Sequence, residues 1–149
     1  MSVFDDLHGY FLEDLKVGMT SLYAKTITEA DIILYAGVSG DTNPVHLNAE
    51  FAEKTIFKER IAHGMLSAGL LSTVFGTKLP GPGAIYMNQN LNFKAPVCIG
   101  DTVVAKVHLR EINGKRVTFD CVCTIGEWNV RDWFWRSAIS TVCIAAIRP

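Results

Sequence analysis

The sequence predicts an α+β domain in which one antiparallel β-sheet wraps around a central buried helix, and three observations carry that prediction. Residues 62–75 are apolar or small on nearly every side of a helical wheel, so a helix there must be enclosed. From Ala84 onward the apolar pattern changes to period two, the signature of strands. Asn113-Gly114 then stands between two alternating runs, where that pair favours a tight hairpin. Strands that follow one another through hairpins, after helices that come earlier, make α+β rather than α/β.

The elements can be justified in order. Residues 1–16 read as a lead-in that offers Phe4, Leu7, Tyr10, Phe11 and Leu15 for packing on the body. Residues 21–27 read as a short strand. Thr28 precedes Glu29-Ala30-Asp31, a helix N-cap followed by acids in the first turn. The helix should run to about Val38, with Ile32, Ile33, Ala36 and Gly37 on one side. Residues 39–44, Ser-Gly-Asp-Thr-Asn-Pro, are dense in turn formers and read as a loop. One more short helix is expected over 49–54. Pro80-Gly81-Pro82-Gly83 ends the apolar helix. Residues 84–93 read as a strand and 94–100, with Pro96, as a connection. Val103, Ala105, Val107 and Leu109 alternate with polar residues on one strand; Val117, Phe119, Cys121, Cys123 and Ile125 do so on its return. A last strand is expected within 133–147. The economical packing is a single curved sheet around the apolar helix, the hot-dog arrangement.

Composition bounds the rest. The 149 residues, without linker, repeat or low-complexity segment, read as one domain over 1–149. A chain of this size buries roughly two-thirds of its surface on folding, enough for a core without disulfides or a structural metal. At 49% hydrophobic and 19% charged the chain is not disordered, and the mild apolar excess hints at a partner subunit, a homodimer being the simplest. Fourteen Lys+Arg against fifteen Asp+Glu give no basic field, which argues against nucleic acid. Cys98, Cys121, Cys123 and Cys143 lie in apolar, strand-like stretches and read as small hydrophobes of a reducing cytosol. The first eight residues lack a basic n-region, and the longest uncharged run, 61–77, is too short and too polar to span a bilayer. The expected location is cytoplasmic, with no membrane contact.

Two segments can carry chemistry. Asp41-Thr42-Asn43-Pro44-Val45-His46 places a carboxylate and an imidazole five residues apart in a Pro-stiffened loop. Such a pair can hold a water between them, one partner taking a proton while the other gives one. A calcium loop fits badly, because His46 and Ala52 stand where Gly and Glu are needed. His63-Gly64-Met65 opens the apolar helix, where unpaired N–H groups and the helix dipole favour a developing oxyanion. Read from spacing alone, Asp41 could equally make an Asx-turn beside a surface His, and Gly64 could serve packing only. The dinucleotide fingerprint fails, since Tyr86 follows Gly81-Pro82-Gly83 where Gly is needed. No P-loop or metal-binding Cys/His cluster occurs, so neither cofactor nor metal is expected.

Three stretches together resemble the MaoC-like hydratase family, and within it the short (R)-specific enoyl-CoA hydratases. They are Ser39-Gly-Asp41-x-Asn43-Pro44-x-His46, Ala62-His63-Gly64-Met65, and Leu91-Asn-Phe93-Lys94-x-Pro96. The resemblance spans about residues 15–125. It implies a single hot-dog domain that adds water reversibly to a trans-2-enoyl-CoA to give an (R)-3-hydroxyacyl-CoA. Asp41 and His46 would be the catalytic pair, and the Gly64 amide would polarise the thioester carbonyl. Asn43, His63 and Ser72 would support the site. Coenzyme A would be part of the substrate, its phosphates held by cations drawn from Lys94, Lys106, Arg110, Lys115 and Arg116. Two other readings share the fold: a 3-hydroxyacyl-carrier-protein dehydratase, and a non-catalytic acyl-thioester-binding subunit. Trp128, Trp133 and Trp135 depart from the family pattern and read as a divergent hairpin covering the sheet or a dimer edge, or as rings that shape the acyl or pantetheine path.

Overall fold

Alternating side chains build the sheet, and the structure, a computed structural model, describes it over residues 7–126 and the backbone of 137–146. The strands are β1 (Thr20–Thr26), β2 (Ala84–Asn92), β3 (Thr102–Asn113), β4 (Arg116–Ile125) and β5 (Ser137–Ala146). They form one five-stranded antiparallel sheet in the order β1-β3-β4-β5-β2, so β1 and β2 are its edges. Trp128, Trp133 and Trp135 lie outside the described residues.

The β3–β4 hairpin turns one residue later than its Asn-Gly pair suggests. Asn113 pairs with Arg116, which leaves Gly114 and Lys115 as the loop. Gly114 takes a φ of 58°, whereas Lys115 keeps a negative φ. Gly at the first central position with φ positive there alone is the II′ pattern, which also matches strand twist.

Period two becomes a core. Val103, Ala105, Val107 and Leu109 of β3 and Val117, Phe119, Cys121 and Cys123 of β4 are all buried. Helix α4 (Gly64–Thr77) packs on that face through Leu70, Leu71, Val74 and Phe75. Phe75 meets Phe119 edge-on at 5.0 Å between ring centroids. Each such side chain contributes about 1.5–3 kcal/mol on burial.

The helix is central, as expected, with two differences of detail. It starts at Gly64 rather than at 62, and His63 is its N-cap. Met65, Gly69, Ser72 and Gly76, spaced at helical period, form a stripe exposed on the single chain. The absence of a polar face in the sequence thus marks two surfaces, one against the sheet and one facing away from it.

Helix α1 (Glu29–Ser39) begins at Thr28, whose hydroxyl accepts from the Asp31 N–H while Asp31 accepts from the Thr28 N–H. These bonds to Thr28, with the Lys25 ammonium at 3.1 Å, hold the Asp31 carboxyl below its usual range. Only Ile32 and Ala36 of α1 are buried; Ile33 and Gly37, expected beside them, are exposed. Two short helices follow, α2 (Pro44–Leu47) and α3 (Ala49–Glu53). The first was read as loop, because four residues carry no helical period. The lead-in docks through Leu15, while Leu7, Tyr10 and Phe11 stay exposed and Phe4 lies outside the described residues. Among the described residues no helix is long and apolar enough to cross a membrane.

Candidate active site

The site is built at the place where α1 ends and α2 begins. Gly40 caps α1 with a φ of 76°, the left-handed conformation that glycine adopts without steric cost. The chain then turns on local bonds. The Asp41 N–H donates to the Ser39 hydroxyl at 3.1 Å, and the Asn43 N–H donates to an Asp41 carboxylate oxygen at 3.2 Å. The Asn43 side chain accepts from the Val45 N–H as N-cap of α2, with Pro44 in the first turn, where its missing N–H is no loss. Asn43 is thus the hinge pin between Asp41 and the helix that carries His46.

His46 is 8% exposed. Its Nδ1 stands 2.8 Å from the Ile61 carbonyl, so in the neutral ring Nδ1 carries the proton and Nε2 the lone pair. The Ile61 segment is itself pinned, since Ala62 N–H donates to Val97 O at 2.7 Å. His63, 2% exposed, donates from Nε2 to the main-chain oxygen of Asp41 at 2.9 Å. Its ring stacks on His46 with centroids 3.8 Å apart, and Tyr35 closes the other side at 4.8 Å. A carboxylate oxygen of Asp41 and one ring nitrogen each of His46 and His63 lie within 4.8 Å of one another. One water at about 2.8 Å from two such atoms bridges that distance.

The same three residues have metal-ligand chemistry as well as proton-handling chemistry. One nitrogen of each ring is bonded to a carbonyl, which leaves the other nitrogen of each ring for a further partner.

Gly64 completes the arrangement. As the first residue of α4 its N–H has no intrahelical acceptor. A Cβ added there would meet the Phe93 ring at 3.0 Å, so glycine is what lets the loop after β2 lie against the helix start.

These groups line one cavity of about 490 Å³. Asp41, His46, His63 and Gly64 face it, and of the five candidate cations only Lys94 does. Arg110 instead pairs with Asp120 at 2.8 Å. Ser72 lies two helical turns beyond Gly64 on the exposed stripe and does not line the cavity. Sequence reasoning missed Tyr35, Phe57, Ser67 and Cys123, which also line it. Only Ser67 had a signal: it is a hydroxyl residue four positions after His63, in the first turns of a helix whose neighbouring positions are apolar or small. Cys123 is buried, which pushes its thiol up to about 12 and keeps it a neutral wall atom.

A hot-dog sheet around a helix thus brings a carboxylate, an imidazole and a helix-start amide to one cavity, groups that can perform acid–base chemistry on an activated carbonyl compound. The chain belongs to the MaoC-like domain family, whose profile matches residues 16–128. It is 58% identical over 123 residues to an (R)-specific enoyl-CoA hydratase of Rhodospirillum rubrum, covering 81% of this chain and 85% of that one. It is 46% identical over 129 residues to a 3-hydroxybutyryl-CoA dehydratase of Methylorubrum extorquens, covering 85% and 82%. The unliganded R-hydratase PhaJ1 of Pseudomonas aeruginosa superposes with a TM-score of 0.84 at 39% identity, over 95% of this chain and 88% of that one.

Proposed function

We propose that the protein is an (R)-specific enoyl-CoA hydratase, adding water across a trans-2-enoyl-CoA to give an (R)-3-hydroxyacyl-CoA and catalysing the reverse dehydration. The observation that carries this reading is the grouping of the Asp41 carboxylate, the His46 ring held through Nδ1 by the Ile61 carbonyl, and the Gly64 N–H on one cavity. Identity to relatives named for hydration and dehydration of CoA thioesters supports it.

The chemistry follows from the groups. A water held by the Asp41 carboxylate and His46 Nε2 presents its oxygen to C3 of the enoyl chain. As the C3–O bond forms, His46 takes one water proton, and the C2=C3 electrons move toward the thioester oxygen. The Gly64 N–H and the α4 dipole stabilise that oxyanion. The enolate then collapses and the proton is delivered to C2. Protons balance within the site, so the reaction needs neither a redox cofactor nor a metal.

We also propose a homodimer. Met65, Ile85 and Met87 are each about half exposed on α4 and the edge strand β2, and a second copy would cover them. Molar mass from light scattering tests this.

Loss of the enoyl-thioester absorbance on adding crotonyl-CoA tests the reaction, and chiral analysis of the product tests the (R) outcome. Absence of turnover on enoyl-CoA, with turnover on the carrier-protein thioester, would move the assignment to the carrier-protein dehydratase.

A further inference from the structure

The cavity has an inner end and a mouth. Ser67, Val103 and Cys123 at the inner end are at most 6% exposed, whereas Met65, Phe93 and Lys94 at the mouth are exposed. Coenzyme A is far too large to be enclosed in 490 Å³, so on the hydratase reading the acyl tail takes the inner end.

That end is not the uniform apolar pocket an alkyl tail would favour. Among the described residues two buried side-chain atoms have no hydrogen-bond partner in the protein, His63 Nδ1 and Ser67 Oγ, and both residues line this cavity. His63 is the N-cap of α4 and Ser67 the fourth residue of that helix, so both stand at its start. His63 spends Nε2–H on Asp41, which leaves Nδ1 as an acceptor, and the Ser67 hydroxyl both donates and accepts. The Ser67 carbonyl is occupied separately, by the Cys123 thiol at 3.5 Å. Buried polar atoms of this kind are satisfied by water when the space is polar and roomy enough.

We propose that His63 Nδ1 and Ser67 Oγ form a polar floor that holds a water beyond the reacting carbons and so restricts the enzyme to short acyl chains. Gly64 receives the thioester oxygen, and Ser67 lies one turn, roughly 5 Å, further along α4. A butenoyl chain ends before that level and leaves the water in place. An octenoyl chain must expel it and leave the Ser67 hydroxyl dry against methylenes. The selectivity therefore comes from desolvating a hydroxyl rather than from a steric wall.

The proposal rests on the hydratase reading, and the test separates the two. kcat/KM is measured for trans-2-butenoyl-CoA and trans-2-octenoyl-CoA with the wild type, Ser67→Ala and Ser67→Cys. The wild type should prefer butenoyl-CoA. Both variants should raise the octenoyl-to-butenoyl ratio, by about tenfold, the effect of one unsatisfied buried hydroxyl. The ratio is insensitive to the fraction of enzyme folded. Cysteine is bulkier than serine but a poor hydrogen-bonding group, so a size effect would move the two variants in opposite directions. An unmoved ratio, opposite movements, or a wild type indifferent to chain length overturns the polar floor and leaves the hydratase reading standing. A wild type that hydrates neither substrate overturns both.

Discussion

Two regions of the cavity are built by opposite means. At the corner proposed for catalysis, where α1 ends and α2 and α4 begin, nearly every group is held by a hydrogen bond to main chain. Asn43 caps α2, His46 bonds to Ile61, and His63 bonds to Asp41. At the mouth, Met65 in the first turn of α4 and Phe93 and Lys94 in the loop after β2 are exposed side chains. Catalysis depends on placing a few atoms to within fractions of an ångström, which main-chain bonds to pinned segments provide. Holding a long, charged, flexible nucleotide carrier tolerates looser contacts. Substitutions at the corner should therefore act on kcat, and substitutions at the mouth on KM.

The largest effects should come from the pair itself. Asp41→Asn and His46→Gln should each lower kcat for crotonyl-CoA by about 10²- to 10⁴-fold, the range for removal of a positioned acid or base. Circular dichroism and molar mass should be unchanged. Near-wild-type turnover in either variant would break the contrast at its strongest point.

Gly64→Ala comes next. The variant keeps the amide donor but places a methyl 3.0 Å from the Phe93 ring, beside the cavity that both residues line. Phe93 is half exposed and can swing away, so the fold should survive. kcat should fall by about 10- to 10²-fold, somewhat less than for loss of an oxyanion donor. Steady-state kinetics beside a thermal melt would show whether activity falls without stability.

How far the corner could be read in advance follows from the range of its bonds. Asp41-x-Asn43-Pro44-x-His46 was legible because its own contacts are local: Asn43 to Asp41 and Val45 to Asn43 each span two residues. Period two likewise announced β3 and β4, since alternation is a property of neighbours. The contacts that orient the rings were not legible. His46 reaches Ile61 across 15 residues, and His63 reaches back to Asp41 across 22. No local pattern encodes a ring whose partner is a main-chain oxygen, because any residue supplies one. The place of Ser72 was not legible for a related reason. A helix apolar on all sides gives no phase, so the sequence did not say which side faces the cavity, and Ser72 lies on the exposed stripe.

Asn43→Ala tests whether the corner's rigidity matters as well as its chemistry. Loss of an N-cap costs about 1 kcal/mol, which for a chain of this size lowers Tm by about 3 °C. Asn43 also spaces Asp41 from His46, so kcat should fall by roughly tenfold while KM stays within about twofold, the split expected for misplacement. Equal loss of stability with unchanged kcat would reduce Asn43 to an ordinary cap.

The smallest effect belongs to the mouth. Lys94 is the one candidate cation that lines the cavity, and it is exposed. Exposed charge pairs contribute about 0.2–1 kcal/mol, so Lys94→Ala should raise KM for crotonyl-CoA by about two- to fivefold and leave kcat alone. The interaction acts through water and is screened, with a Debye length of about 10 Å at 0.1 M salt and about 3 Å at 1 M. The difference between wild type and variant should therefore shrink as salt rises. A truncated thioester without the nucleotide phosphates should show little difference at any salt concentration. A fall in kcat, or an effect indifferent to salt and to truncation, would place Lys94 with the corner rather than the mouth, and the division of labour between the two regions would no longer hold.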